Sequence, residues 1–207
     1  MQNQVLAEPG SSAKIRRIRS GYITRTNVAA VLFLGIAIIF FLHVLHLSVI
    51  AEDAFISFRF AKNLVAGHGL VWNVGEPPVE GYTNFLWVLI CALFLKVGLP
   101  IVSAVQVFGI LASLLTLVYV YLFSRNLLKF GPLVSLLPCL FLSFNGPFAA
   151  WASSGMETNL FTLFIFAACF HLGLHWKAGK KSHICLSLFL CFLATLTRPE
   201  GVMVFAV

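Results

Sequence analysis

Charged residues are scarce in this chain. Only 10% of its 207 residues are Asp, Glu, Lys or Arg, and 60% are hydrophobic. Soluble domains usually carry about 25% charged residues, and a single water-soluble core would leave large apolar patches exposed here. Apolar runs of about 18 residues or more, the length that crosses a bilayer as a helix, recur along the chain. The composition therefore excludes a soluble globular domain and predicts an all-α integral membrane protein.

Nucleotide-binding and metal-binding motifs are also lacking. The sequence contains neither a GxxxxGK[S/T] loop nor a GxGxxG motif after a strand pattern, so no nucleotide-sugar-binding Rossmann module is predicted. All five cysteines lie inside apolar runs without CxxC spacing. They are interpreted as small buried hydrophobic residues rather than disulfides or zinc ligands. The basic N-terminal segment is interpreted as a topology signal, and no nucleic acid partner is expected.

The basic residues favour one path of the chain through the membrane. If the short segment 85–99 lies at the outer surface or re-enters without crossing, ten of the 14 basic residues fall on the cytoplasmic side and six of the seven acids outside. If segment 85–99 crosses the membrane, two basic loops fall outside, which is contrary to the usual cytoplasmic location of basic loops. We therefore predict a basic cytoplasmic tail, 1–27, an outer loop, 51–100, and a transmembrane domain, 28–207. The predicted spans are 28–50, 101–123, 130–147, 158–175 and 183–197. The last apolar run stops within six residues, so a C-terminally truncated protein is expected.

The outer loop opens with an amphipathic pattern. Asp53 is suited to the N-cap of a helix, and Gly67 is suited to its left-handed C-terminal residue. Between them apolar residues recur at helical spacing, which predicts a helix on the outer membrane surface. A strand-like stretch, 70–73, follows. Asp53 is the only aspartate in the chain. It is either a simple helix cap or a membrane-edge carboxylate that acts as a base.

Several motifs in order carry a resemblance to a known family. They are EDAFISFR at 52–59, GHGLVWN at 67–73, EGYTNFLW at 80–87, SGMET at 154–158 and TRPEG at 197–201. Over residues 30–207 the chain resembles the N-terminal part of bacterial GT-C glycosyltransferases that include the terminal arabinofuranosyltransferases. It is more distantly similar to protein O-mannosyltransferases and lipid A aminoarabinose transferases.

The resemblance implies a multi-span helical bundle of GT-C type in the bacterial inner (plasma) membrane, with a cytoplasmic N-terminus and an extracytoplasmic first loop. It implies transfer of a sugar from a polyprenyl-phosphate donor to a glycan, lipid or protein acceptor, with Asp53 as the base. Relatives commonly carry two aspartates where this chain has Glu52 and Asp53. A divalent cation held by these two acids is therefore left open.

The other candidate residues each have an ordinary alternative. The candidates to hold the donor phosphate are Arg59, Lys62, His68 and Arg198. The alternative for Arg59 and Lys62 is anchoring at the membrane interface, facing lipid headgroups. For Arg198 the alternative is an ion pair with Glu200 or Glu157. Four further residues are candidates to line a sugar-binding cavity: Glu80, Tyr82, Asn84 and Glu157. For the two acids, the alternative is an ordinary position in a solvated loop.

Two other functions compete with sugar transfer. One is a non-catalytic or truncated membrane protein, and the other is a transporter or flippase fragment. Transporters place polar residues at broken helices near the middle of the membrane, whereas most charges here lie at the predicted outer ends.

Overall fold

The computed structural model describes residues 10–205, and the side chains of 25–204. Within 10–205 every regular element is helical and no strand is present, which confirms the predicted all-helical class. The α-helices, in chain order, are α1 (Gly10–His46), α2 (Ala54–Val65), α3 (Phe85–Lys96), α4 (Ile101–Asn126), α5 (Leu136–Ser143), α6 (Gly146–Ser153), α7 (Thr158–Ala178) and α8 (Lys181–Thr197). A 3-10 helix, Pro199–Phe205, follows.

Three helices are long and apolar enough to cross a membrane. They are α1 from Arg25 to His46, α4 and α7. The helices α5 and α6 would supply a fourth crossing if they are counted as one broken span. With 12 residues, α3 is about 18 Å long, well short of the roughly 30 Å of a hydrocarbon core. Its length agrees with the predicted surface or re-entrant segment at 85–99.

The predicted continuous span at 130–147 is wrong. The structure has two eight-residue helices there, α5 and α6, bent by 68° at the break between them. Asn145 caps α6, because its side chain accepts a hydrogen bond of 2.9 Å from the Phe148 amide. Pro147, which follows Gly146, has no N–H to donate to a continuing helix. The Asn145-Gly146-Pro147 sequence therefore ends one helix and starts another.

The helix α1 begins within the basic tail predicted at 1–27. Residues 1–9 lie outside the described residues, and from Gly10 the backbone is helical and continuous with the first span. The predicted strand-like stretch at 70–73 is an irregular loop. Its carbonyl groups accept bonds from α2 side chains, since Asn63 Nδ2 lies 2.7 Å from the Val71 oxygen and Arg59 Nε lies 2.8 Å from the Trp72 oxygen. These bonds take the place of a partner strand.

The predicted left-handed residue after α2 is confirmed. Gly67 has φ +85°, and the His68 amide bonds to the Asn63 carbonyl at 3.0 Å. The Gly67 amide bonds to the Leu64 carbonyl at 3.1 Å. Together they close the last turn of the helix.

The charged loops gather at opposite ends of the bundle. Lys177 Nζ lies 2.5 Å from the Leu127 carbonyl oxygen, so the two basic loops predicted on one side of the membrane meet at one end, here called the basic end. At the other end the Ala51 amide, just after α1, donates to the Ser154 carbonyl at 2.9 Å. The starts of α2, α3 and α7 and the end of α8 also lie there, and we call this the carboxylate end.

The helices pack in two apolar clusters that share α4. One cluster joins α2, α3, α4 and α7 around Phe60, Trp87 and Val105. The other joins α1, α4, α5 and α6 around Phe40 and Leu117. Close backbone approach supports the second cluster, because a Cβ on Gly109 would lie 2.4 Å from the Ala152 carbonyl oxygen. Only a glycine lets α4 and α6 come this close.

We expect Gly109→Ala to lower the thermal unfolding midpoint of the purified protein in detergent. The added methyl group meets a backbone oxygen that cannot rotate away, and overpacking of this kind costs about 1–3 kcal/mol. Gly35→Ala is the matched control, because a Cβ there meets nothing within 4 Å and alanine favours a helix by about 1 kcal/mol. Equal midpoints for the two variants would contradict the close contact.

Candidate functional site

Glu157 is the buried acid at the carboxylate end. It sits at the N-cap position of α7, and its side chain is 6% exposed. Asn84, just before α3, donates from Nδ2 to Glu157 Oε2 at 2.9 Å. A carboxylate removed from water needs such donors, because burial otherwise penalises its charge. The alternative that Glu157 is a solvated loop acid is therefore wrong.

Asn84 joins three elements through one amide group. Besides Glu157, its Nδ2 lies 3.0 Å from the Ser57 hydroxyl oxygen, and Ser57 is buried on α2. The amide thereby ties the first loop helix and the start of α3 to the start of α7. Two of the sequence motifs, at 80–87 and 154–158, meet at this residue pair.

The turn before α7 packs against both α2 and α3. Gly155 has φ +80°, and a Cβ there would lie 3.1 Å from the Ala54 Cβ, so both its conformation and its surroundings favour glycine. The buried Trp87 indole donates to the Gly155 carbonyl at 3.1 Å. Trp87 is 0% exposed, so it is a core residue at this end and not part of an aromatic belt that faces the membrane interface.

Arg198 brings the last motif, at 197–201, to the same place. It follows α8 directly, and its Nη1 lies 3.7 Å from Glu157 Oε1. Its Nη2 lies 3.1 Å from Glu200 Oε1. The hydrogen bond to Glu200 raises the pKa of Arg198 and lowers that of Glu200. Both ion pairs that the sequence offered as alternatives are thus present, and Arg198 stays cationic at the edge of the buried acid.

Gly201 fixes the turn that carries this arginine. A Cβ on Gly201 would lie 2.6 Å from the Thr195 amide nitrogen, which is backbone and cannot move aside. The chain after Arg198 therefore folds back tightly onto α8 only with glycine at this position.

Asp53 differs from Glu157 in exposure and in partners. It occupies the N-cap position of α2, but its side chain makes no capping hydrogen bond. Within 25–204, where side chains are described, no group bonds to its carboxylate. The predicted N-cap position of Asp53 is confirmed, but the side-chain hydrogen bond that usually accompanies it is not formed. Glu52 and Asp53 are both exposed, beside the Ala51–Ser154 contact.

Four other candidates lie away from the Glu157 cluster. Arg59 is turned toward the loop after α2, where its guanidinium lies 4.4 Å from the Trp72 ring and donates to Asn73 Oδ1 at 2.5 Å. Tyr82 packs its ring 4.8 Å from that of Phe60. His68 and Glu80 are both exposed. The structure joins Asn84, Glu157 and Arg198 directly, and not these four.

A protein-only metal site is not formed in the described part of the chain. No group of three or more His, Cys, Asp or Glu side chains there is arranged to hold an ion. Glu52 and Asp53 would supply two carboxylates, and Mg²⁺ accepts such a pair only when water or substrate phosphates complete its shell. These residues do not by themselves make a metal centre.

Sequence reasoning missed the structural role of Ser57. Its signal is visible in retrospect, because Ser57 lies four residues after Asp53 and so falls about 40° from it around the helix axis. A small polar residue on the apolar face of an amphipathic helix indicates a buried hydrogen-bond partner. Which residue is that partner depends on the packing of α3 and α7.

Comparison of the chain with protein-family models, curated proteins and solved structures finds no match.

We expect Asn84→Ala to destabilise the carboxylate end. Glu157 loses its amide donor while remaining buried, and a buried polar group left without its partner costs about 1–3 kcal/mol. Thermal unfolding in detergent measures the change. Asn126→Ala, at the exposed end of α4, is the control. Equal shifts in the two variants would show that the Asn84–Glu157 bond contributes nothing specific.

We expect Arg198→Gln to raise the pKa of Glu200, because the hydrogen bond from the arginine is the largest cause of its lowered value. In the wild type the arginine lowers the pKa of Glu200. The pair therefore stabilises the fold at pH values above the ordinary glutamate pKa, and this stabilisation is lost as the pH falls through the lowered pKa. The effect on stability is small because Glu200 is exposed. Carboxyl NMR titration of labelled glutamate checks it. An unchanged pKa in the variant would contradict the pairing.

Proposed function

We propose that this protein belongs to the GT-C glycosyltransferases of a bacterial inner membrane. It transfers a sugar from a polyprenyl-phosphate donor to an extracytoplasmic glycan, lipid or protein. The carboxylate end faces outward and the basic end faces the cytoplasm. The observation that carries this proposal is the meeting of segments 51–57, 84–87, 154–157 and 198–201 at one end of the bundle. Each of these segments contains part of one of the five motifs on which the resemblance rests.

Asp53 is the proposed base. The donor leaves as a phosphate, which is a weak base and needs no protonation, so the required group is one that removes the acceptor hydroxyl proton. The acceptor oxygen then bonds to the anomeric carbon as the bond from that carbon to the phosphate oxygen breaks. Asp53 suits this role because its carboxylate is exposed, uses no capping bond and adjoins the Glu157 cluster through Ala54. Glu157 is buried and bonded, which suits it to positioning.

Arg198 is the proposed partner of the departing phosphate. Its contact with Glu157 at 3.7 Å holds the guanidinium at the carboxylate end, while Glu200 is the exposed and replaceable partner. A phosphate bound in place of the Glu200 carboxylate would accept the same forked hydrogen bonds.

A transporter is the second candidate, and the bent α5–α6 pair favours it, since transporters place their sites at broken helices. Residues 136–153 contain no charged side chain, however. The charged groups that could bind a substrate lie at the carboxylate end. We therefore rank sugar transfer first.

We expect Asp53→Asn to lower transfer of labelled sugar by about 10²–10⁴-fold, because general-base assistance is typically worth that factor. The assay uses membranes that contain the full-length protein, at equal expression, with a polyprenyl-phosphate-linked labelled sugar. The control is Glu76→Gln, which neutralises another exposed acid of the same loop, bonded to Asn73. Undiminished transfer by Asp53→Asn would remove Asp53 from the mechanism.

A further inference from the structure

A cleft lies on the face of α2 that points away from the Glu157 cluster. Its volume is about 430 Å³, within the range of about 300–1,000 Å³ typical of small-molecule sites. Two cations, Arg59 and Lys62, stand at its rim, and no acid lines it. The remaining lining residues are Phe55, Phe58, Asn63, Leu95 and Ile101.

The two cations are placed to hold one anion. Arg59 and Lys62 are three residues apart on α2 and so are neighbours on the helix surface. Arg59 is held in place by Trp72 and Asn73 through Nε and Nη2, and neither bond uses its Nη1. Lys62 is exposed, and among the described side chains and carbonyl groups none bonds to it.

An apolar groove lies on the same corner of the fold. Phe94, Leu99 and Pro100 line it at the junction of α3 and α4, and it continues along α4 past Ser103 to Leu111. The cleft and the groove share no lining residue, but Leu95 and Ile101 of the cleft are chain neighbours of Phe94 and Pro100 of the groove. The groove has a volume of about 380 Å³. A basic cleft and an apolar groove at one corner match an amphiphile that has an anionic head and a hydrocarbon chain.

We propose that this corner binds an anionic glycerophospholipid from the surrounding membrane. The headgroup phosphate lies between Arg59 and Lys62, and an acyl chain follows α4 in the apolar groove. This site goes beyond sugar transfer, and only its distinction from the donor site rests on the proposed function.

Helix geometry separates this lipid from the proposed sugar donor. Around the axis of α2, Lys62 lies about 180° and Arg59 about 240° from Asp53, whereas Ser57 lies only about 40° from it. A phosphate bound by Arg59 and Lys62 is therefore on the opposite side of the helix from the proposed base. A donor phosphate must lie beside that base during transfer, so the cleft suits a second lipid.

The test is a lipid titration of the purified full chain in detergent, read by native mass spectrometry. The probes are phosphatidylglycerol, phosphatidylcholine and a polyprenyl phosphate. We expect phosphatidylglycerol to bind more tightly than phosphatidylcholine. Lys62→Gln should weaken phosphatidylglycerol binding about fivefold, the usual contribution of one cation at a membrane surface. Added salt should reduce the preference.

Two further variants sharpen the test. Lys96→Gln removes an exposed lysine at the end of α3 that does not line the cleft, and it should keep full binding. Ser103→Trp fills the apolar groove and should weaken binding of both phospholipids, because it acts on the chain and not on the headgroup.

Three results would overturn the proposal. One is equal affinity for the two phospholipids, and another is an equal loss in Lys62→Gln and Lys96→Gln. The third is one-for-one displacement of phosphatidylglycerol by polyprenyl phosphate, which would make the cleft a donor site. The readout needs no sugar transfer, so failure of the proposed enzymatic activity would leave this result interpretable.

Discussion

The carboxylate end depends on the need of one buried acid for hydrogen-bond donors. Glu157 is withdrawn from water, and a charged group in that position persists only when nearby groups replace its hydration. Asn84 and Arg198 provide that replacement from parts of the chain 73 and 41 residues away. Because the donors come from separate elements, satisfying Glu157 also fixes where α3 begins and where α8 ends relative to α7.

Small and polar residues set the distances between the long helices. Apolar side chains gain little by moving from lipid to a helix interface, so close packing and hydrogen bonds carry more of the association. Gly109 lets α4 meet α6, and the buried Asn159 on α7 donates to Ser113 on α4 at 2.6 Å and to the Phe148 carbonyl at 3.0 Å. The transmembrane part is therefore specified by particular small and amide-bearing residues within a background of similar apolar ones.

The sequence predicts the helical class and the placement of the long apolar helices because burial in lipid requires long uncharged runs. It predicts the left-handed Gly67 for a local reason, the steric freedom of glycine. The break between α5 and α6 has a local signal, the capping residue Asn145 followed by a proline. The prediction of one span at 130–147 missed it because it considered only the apolar composition of the segment. The partners of Glu157 could not be read in advance, because no local rule pairs residue 157 with residues 84 and 198. For Arg198 the sequence indicated either a phosphate ligand or an ion pair with Glu200 or Glu157, and it did not decide between them.

The loop between α2 and α3 is held to the helix surface at several points along its length. Arg59 and Asn63 bind the carbonyl groups of residues 71 and 72 and the Asn73 side chain, and Tyr82 packs on Phe60 farther along. Each attachment divides one long flexible connection into shorter ones, whose freedom is already restricted in the folded chain. The loss of chain entropy in this segment therefore accompanies folding. A molecule arriving at the neighbouring surface meets a loop that is already ordered, and its affinity is not reduced by the cost of arranging that loop.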